Sequence, residues 1–222
     1  MQKNGLDIKP IVWRGSVVQL IDQTKLPDRI EVLTLTDSSQ VIFAIKNLKV
    51  RGAPAIGIAG ACAIALAAQQ IKRETDREHP GTSDANSFEQ LAVFQQKVAS
   101  IADQITLSRP TAINLEWAVS RMMSLIYQSD SISATVIKLS NKAFQMIAED
   151  ISANLSLSHY GSALIEKHSS VLTHCNAGAL ATAGHGTGLG IIKSAWESGK
   201  TYQSLSRKHV QFSKVPGLHL GS

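Results

Sequence analysis

The sequence predicts an α/β protein: an N-terminal strand-plus-helical domain, then the first strand and helix of a parallel-sheet unit. Three observations carry this. Two short β-branched segments open the chain, and long stretches with apolar residues at three- and four-residue steps follow them. Near Gly161 the texture changes to "VLTHC", a glycine-rich stretch and another helical segment, the order expected where an α/β unit opens. The chain has 222 residues, 44% of them hydrophobic, enough core for one large domain or two small ones.

In chain order, Val12–Ile21 and Ile30–Leu35 read as strands, separated by "DQTKLPD", whose Pro27 and Asp28 suit a turn. Val41–Val50 reads as a short helix and Pro54–Ile71 as a long one entered through Arg51. Residues 72–87, charged and then rich in Pro, Gly and Ser, read as an exposed loop. Phe88–Ile105, Ala112–Tyr127 and Ser133–Leu155 give three further helices. Val171–Cys175 is the expected strand, "NAGALATAGHGTGLG" a turn, and Leu189–Ser198 a helix. The boundaries are 1–165 for a mainly helical domain with a small antiparallel sheet, 166–200 for the second unit, and 201–222 for a tail.

The net charge is +5, and the four cations from Lys200 onward (Lys200, Arg207, Lys208, Lys214) meet no acid, leaving +1 for the first 199 residues. A basic face spread over the fold is not supported, so nucleic acid is not an expected partner. Cys62 and Cys175 lie far apart, and no signal peptide is read at "MQKNGLDIKP". Reduced thiols in the cytoplasm are expected, and no His/Cys cluster has metal-ligand spacing. The uncharged run Gly52–Ala68 falls short of a membrane span, and its small residues suit close packing in a core.

Two stretches, "LKVRGAPAIG" and "TLSRPTAINLEWA", each place an arginine just before a proline and an apolar helix. Proline is tolerated in a first helical turn, so Arg51 and Arg109 are expected at helix N-termini, where unpaired N–H groups and the helix dipole favour an anion. Gly52 lets the backbone approach a ligand closely. Two guanidiniums over two helix starts suit a phosphate, which each can bind bidentately. The plainer alternative is that each arginine caps a surface helix or meets a carboxylate.

The glycine-rich stretch after Cys175 resembles a ligand crevice at a strand's carboxyl end. No register gives G-x-G-x-x-G, and "SAWESGKT" closes a helix where a phosphate-binding loop would open one. Adjacent strand residues face opposite ways, so a His174–Cys175 pair is not expected and His174 reads as a packed or satisfied histidine. By itself Cys175 reads equally as a small buried hydrophobe, and Cys62, amid Ala residues, as core.

Together "LIDQTKLP", "VRGAPAIG", "SRPTAINL" and "THCNAGALATAGHGTGLGIIKSA" resemble the methylthioribose-1-phosphate isomerases, in the superfamily that also holds the translation initiation factor 2B regulatory subunits. The likeness runs from about residue 10 to 200. It implies a Rossmann-like C-terminal domain and substrate binding by Arg51, Gly52, Ala53 and Arg109, with Cys175 as the catalytic cysteine. It also implies a small phosphosugar as substrate, no cofactor or metal, no membrane partner and a homodimer. The reaction converts 5-methylthioribose 1-phosphate to 5-methylthioribulose 1-phosphate in methionine salvage. Phosphate on the anomeric carbon blocks spontaneous ring opening, so an acid must protonate the ring oxygen and hydrogen must then move from C2 to C1. A cysteine can act as base or stabiliser where nearby positive charge lowers its pKa from about 8.5. After "WESGK" the chain matches no family segment known to us, and the family's aspartate proton donor and Asn-Lys pair are not found. The expectation is therefore a C-terminally truncated product of uncertain turnover. Two alternatives stand beside the isomerase: a non-catalytic sugar-phosphate-binding relative of the initiation factor subunits, and a ribose-1,5-bisphosphate isomerase.

Overall fold

The computed structural model describes residues 9–80, 88–200 and the backbone of 203–207. The N-terminal sheet is antiparallel in the order β1 (Ile11–Trp13), β2 (Val18–Ile21), β3 (Val32–Leu35). Its register pairs Trp13 with Val18 and Val18 with Leu35. Val12–Ile21, expected as one strand, is thus a hairpin. Gly15 at φ 85° makes the reversal, and Arg14 N–H donates to Val17 O at 3.0 Å. Alternation still puts Ile11, Trp13, Val18 and Leu20 in the core.

Helix α1 (Ser38–Lys46) starts three residues before the expected Val41. Asp37 caps it by accepting from Gln40 N–H, while Gln40 Oε1 reaches back to Thr36 N–H at 2.8 Å, a reciprocal arrangement close to a capping box. Helix α2 (Ala53–Glu78) is the axis of the domain. Its residues from Ala55 to Ala68 are all buried, wrapped by α1, α3 (Phe88–Leu107), α4 (Ile113–Ile126) and α5 (Ile132–Ala163). Close wrapping needs small residues. A Cβ on Gly57 would stand 2.7 Å from Asn114 O, and one on Gly60 2.3 Å from Leu115 Cδ1.

The loop expected from residue 72 begins later, because α2 continues to Glu78. Two (i, i+4) contacts, Gln70–Glu74 and Lys72–Asp76, support the added turns. Residues 81–87 lie outside the described part. At full length α2 is long and apolar enough to cross a membrane, as its uncharged run alone is not, yet 83% of its most apolar 18-residue stretch is buried inside the fold. That share fits a core helix.

Helix α5 is capped by Ser131, which accepts from Ala134 N–H, and it runs eight residues past the expected end at Leu155. Its extension carries Ser158 and packs against α6 (Gly188–Glu197). Between them lie β4 (Ser170–His174), a single 3-10 turn at Ala179–Ala181, and the glycine-rich stretch. In the segment read only as a tail from 201, Gln203–Arg207 form β5, parallel to β4 with Leu172 opposite Leu205. The second unit is therefore β4–α6–β5. Its β4 strand alternates between exposed and half-buried residues, with Leu172 71% exposed.

Candidate functional site at the start of the long core helix

Arg51 and Gly52 are placed from behind by the loop that follows β2. Asp22, 0% exposed, accepts from Thr24 Oγ1 at 2.6 Å and Thr24 N–H at 3.0 Å, and forms an ion pair with Lys49 Nζ. Burial pushes this carboxyl up, but the Lys49 ammonium and the two Thr24 donors outweigh it and hold its pKa below the usual carboxylate value. Gln23 N–H donates to Lys49 O at 2.9 Å, so loop and helix start are joined through backbone as well.

Arg51 is exposed, and its Nε donates to Leu48 O at 3.1 Å. Gly52 follows as the N-terminal cap residue of α2 at φ 97°, with no side-chain hydrogen bond closing the helix end and Pro54 in the first turn. Ala53, the first helical residue, is exposed. An uncapped N-terminus beside an arginine is electrostatically suited to an anion.

Arg109 is half-buried, and its setting differs from the expected one. Pro110 does not start the helix. Residues 108–112 form tight turns after α3, in which Arg109 N–H donates to Thr106 O at 3.3 Å and Ala112 N–H donates to Arg109 O at 3.0 Å. Helix α4 begins only at Ile113, again with no side-chain cap. The contact of Gly57 with Asn114 nonetheless brings the first turns of α2 and α4 together.

Cys175 is the first residue after β4 and sits at φ 74°, a left-handed backbone for a non-glycine residue. It is exposed, which removes the reading as a small buried hydrophobe. His174 is exposed as well, not packed. Cys62 is wholly buried within α2, and burial pushes its thiol up to about 12, so it is inert as expected.

The stretch after Cys175 is folded on itself. Thr182 Oγ1 accepts from Gly184 N–H at 3.1 Å and Gly186 N–H at 3.0 Å, and donates to Ala179 O at 3.2 Å. From α5, Asp150 accepts from Ala183 N–H at 2.7 Å, and Ser158 Oγ lies 2.9 Å from His185 Nε2. Burial raises the Asp150 pKa, with the Ala183 N–H and Asn154 opposing. Burial lowers that of His185, helped by the Lys193 charge and opposed by Glu197.

The helix start and this turn meet directly. A Cβ on Gly52 would lie 2.4 Å from both Cα and Cβ of Ala181, and Gln23 Nε2 donates to Leu180 O at 2.8 Å. Gly52 and the turn after Cys175 are thus in contact, and the α2 and α4 starts are neighbours. Two surface cavities lie elsewhere: one of about 640 Å³ between the α1 start and Arg73, another of about 490 Å³ around Phe88 and Tyr127. No group of three His, Cys, Asp or Glu residues suited to a metal ion occurs among the described residues. Sequence reasoning missed Asp22, Gln23, Lys49 and Asp150. The first two lie inside "LIDQTKLP", where a paired Asp-Gln before a turn was the available signal.

Residues 49–206 match the family described as the initiation factor 2 subunit family. That match ends six residues beyond 200, so the first part of the tail lies within the family pattern. The methylthioribose-1-phosphate isomerase of Desulforamulus reducens is 41% identical over 192 residues, covering 86% of this chain and 51% of that protein. The enzyme of that name from Thermoanaerobacter sp. is 39% identical, with 96% and 59% covered. The chain therefore spans about half the length of the curated relatives it matches. Among solved structures, 5-methylthioribose 1-phosphate isomerase from Pyrococcus horikoshii superposes with a TM-score of 0.74 at 26% identity, covering 89% of this chain and 60% of that one. The delta subunit of translation initiation factor eIF-2B from A. fulgidus gives 0.71 at 35% identity, with 90% and 54% covered.

Proposed function

Because this chain belongs to the initiation factor 2 subunit family, we propose that it carries the phosphosugar-binding half of an aldose–ketose isomerase acting on 5-methylthioribose 1-phosphate. The observation that carries the proposal is the contact of Gly52 with the turn that follows Cys175. It joins the two stretches that share one site in the isomerase reading. The 36–41% identity to several proteins named for that enzyme supports it.

In this reading the N–H groups at the α2 start, Arg51 and Arg109 hold the phosphate, with Gly52 giving its oxygens access to backbone. In the same reading Cys175, exposed at the end of β4, borders that phosphate site. The reaction is a net isomerisation: a proton is delivered to the ring oxygen, the C1–O ring bond opens, one hydrogen leaves C2 while one arrives at C1, and the C2 hydroxyl releases its proton as C2 becomes the ketone. Cys175 serves at the C2/C1 step as base or as stabiliser of the developing charge. The acid for ring opening is not assigned to any residue described above. The same reading takes β4–α6–β5 as the opening of a Rossmann-like domain, and the working protein as a cytoplasmic homodimer.

A second reading, a sugar-phosphate-binding relative without turnover, draws on the 35% identity to the solved initiation factor subunit, which lies below the 36–41% to the proteins named as isomerases. Assaying ketose 1-phosphate formation by the full chain and by Cys175→Ser separates them. Turnover abolished by the substitution supports the isomerase. Saturable binding of the sugar phosphate with no product in either protein supports the rival.

A further inference from the structure

Two residues hold both halves of the site from one loop. Asp22 fixes Lys49, two positions before Arg51, and Gln23 bonds the Lys49 carbonyl through its backbone and the Leu180 carbonyl through its side chain. Gln23 is only 8% exposed, and its side chain bridges 157 residues of sequence. Leu180 adjoins Ala181, the residue against which Gly52 packs. The turn is thus suspended between α5, where Asp150 accepts from Ala183 N–H, and the loop, where Gln23 Nε2 donates to Leu180 O.

We propose that Gln23 is a positioning residue of the phosphosugar site, setting the separation between the Arg51-bearing helix start and the turn that follows Cys175. What the site does rests on the isomerase reading; the link itself rests on the hydrogen bond and the Gly52 contact. Gln23 touches no reacting atom in this proposal. It acts through the turn, and a shift of about 1 Å in a reacting group can cost on the order of 10²-fold in rate.

The test uses the full chain with Gln23→Met, which keeps the side chain's length and removes the amide donor. Gln23→Glu is the second variant, placing carboxylate oxygens against Leu180 O. Ile64→Val, deep in α2, is the stability control. Two readouts are taken: kcat and KM on 5-methylthioribose 1-phosphate, and the slowing of Cys175 alkylation by iodoacetamide when inorganic phosphate is added. Cys62, buried throughout, stays silent in the second.

Both Gln23 variants are expected to lower kcat by about tenfold or more, with KM within about threefold. They should also lose most of the phosphate protection, while Ile64→Val changes neither. Gln23 variants that match Ile64→Val in both readouts overturn the proposal, as does a wild-type Cys175 that phosphate does not protect. Wild-type protection without turnover removes the isomerase reading alone, and loss of that protection in the Gln23 variants then still supports the positioning role.

Discussion

Replacing Lys49 by Met tests how firmly the loop behind the site is anchored. The substitution keeps an unbranched side chain and leaves Asp22, 0% exposed, without its counter-ion. Removing one partner of a buried pair costs about 3–5 kcal/mol, because the other charge stays desolvated. Two features lower that figure here. Asp22 keeps the Thr24 Oγ1 and N–H donors, and the Lys49 side chain is 22% exposed, so water can enter where the ammonium was. About 3 kcal/mol is expected at pH 7, equivalent to roughly 6–12 °C in Tm for a chain of this size. The pH dependence gives a second signature. In the wild type the Asp22 pKa lies below its unfolded value, so its contribution is present above about pH 3.9 and fades as pH falls through the folded pKa. In Lys49→Met the ion pair no longer lowers this pKa, so it rises from its wild-type value and the variant loses part of that contribution. The gap measured by urea unfolding should therefore narrow as pH falls through the acid range, and Asp22→Asn added to Lys49→Met should restore most of the loss. A deficit below about 1 kcal/mol, unchanged with pH, would refute the anchoring argument.

Gly52→Ala should destabilise by about 2–4 kcal/mol in urea unfolding, combining a residue strained at φ 97° with a Cβ driven into Ala181. A loss under about 1 kcal/mol would mean that the turn moves aside freely. Asp150 has a raised pKa, so the folded state binds its proton more tightly than the unfolded one, and wild-type stability should rise as pH falls from neutral through the folded value. Asp150→Asn keeps an acceptor for Ala183 N–H and should flatten that dependence with no loss of stability at pH 7; a clear loss there would show that the charge itself is needed.

Periodicity made most of the helical domain legible, since α3 to α5 each bury one face at regular steps, while the uncharged small-residue run marked α2 as core. The errors have local causes. Asp37 and Gln40 form a reciprocal cap whose spacing is readable in "TDSSQ", yet the apolar pattern from Val41 drew the helix start inward. Gly15 turned one apparent strand into a hairpin: Arg14, Gly15 and Ser16 interrupt the apolar run, and the inward-facing set shifts from Ile11 and Trp13 to Val18 and Leu20. Lys72–Asp76 pairing kept α2 going where a charged composition suggested a loop. Pro110 misled in the opposite sense: it stands in the turn before α4, so the parallel between the two arginines is looser than their sequences imply. The strand after 200 escaped notice because "QSLSR" has little β-branched character, and its parallel partner β4 supplies what its sequence lacks. Of the candidate site residues, the places of Arg51 and Gly52 at a helix start and of Cys175 at a strand end were legible. Asp22 and Gln23 were not, because their partners, Lys49 and Leu180, are fixed only by the tertiary fold.

The central claim is that the start of α2, Arg109 and the turn after Cys175 form one phosphosugar site. Calorimetric titration of 5-methylthioribose 1-phosphate into the wild-type chain, Arg51→Ala and Arg109→Ala tests it most directly. The account predicts saturable binding to the wild type, weakened in each variant by about 1.5–3 kcal/mol, the range for hydrogen bonds to a charged group, which is roughly 10- to 150-fold. Equal affinity in all three proteins would contradict it.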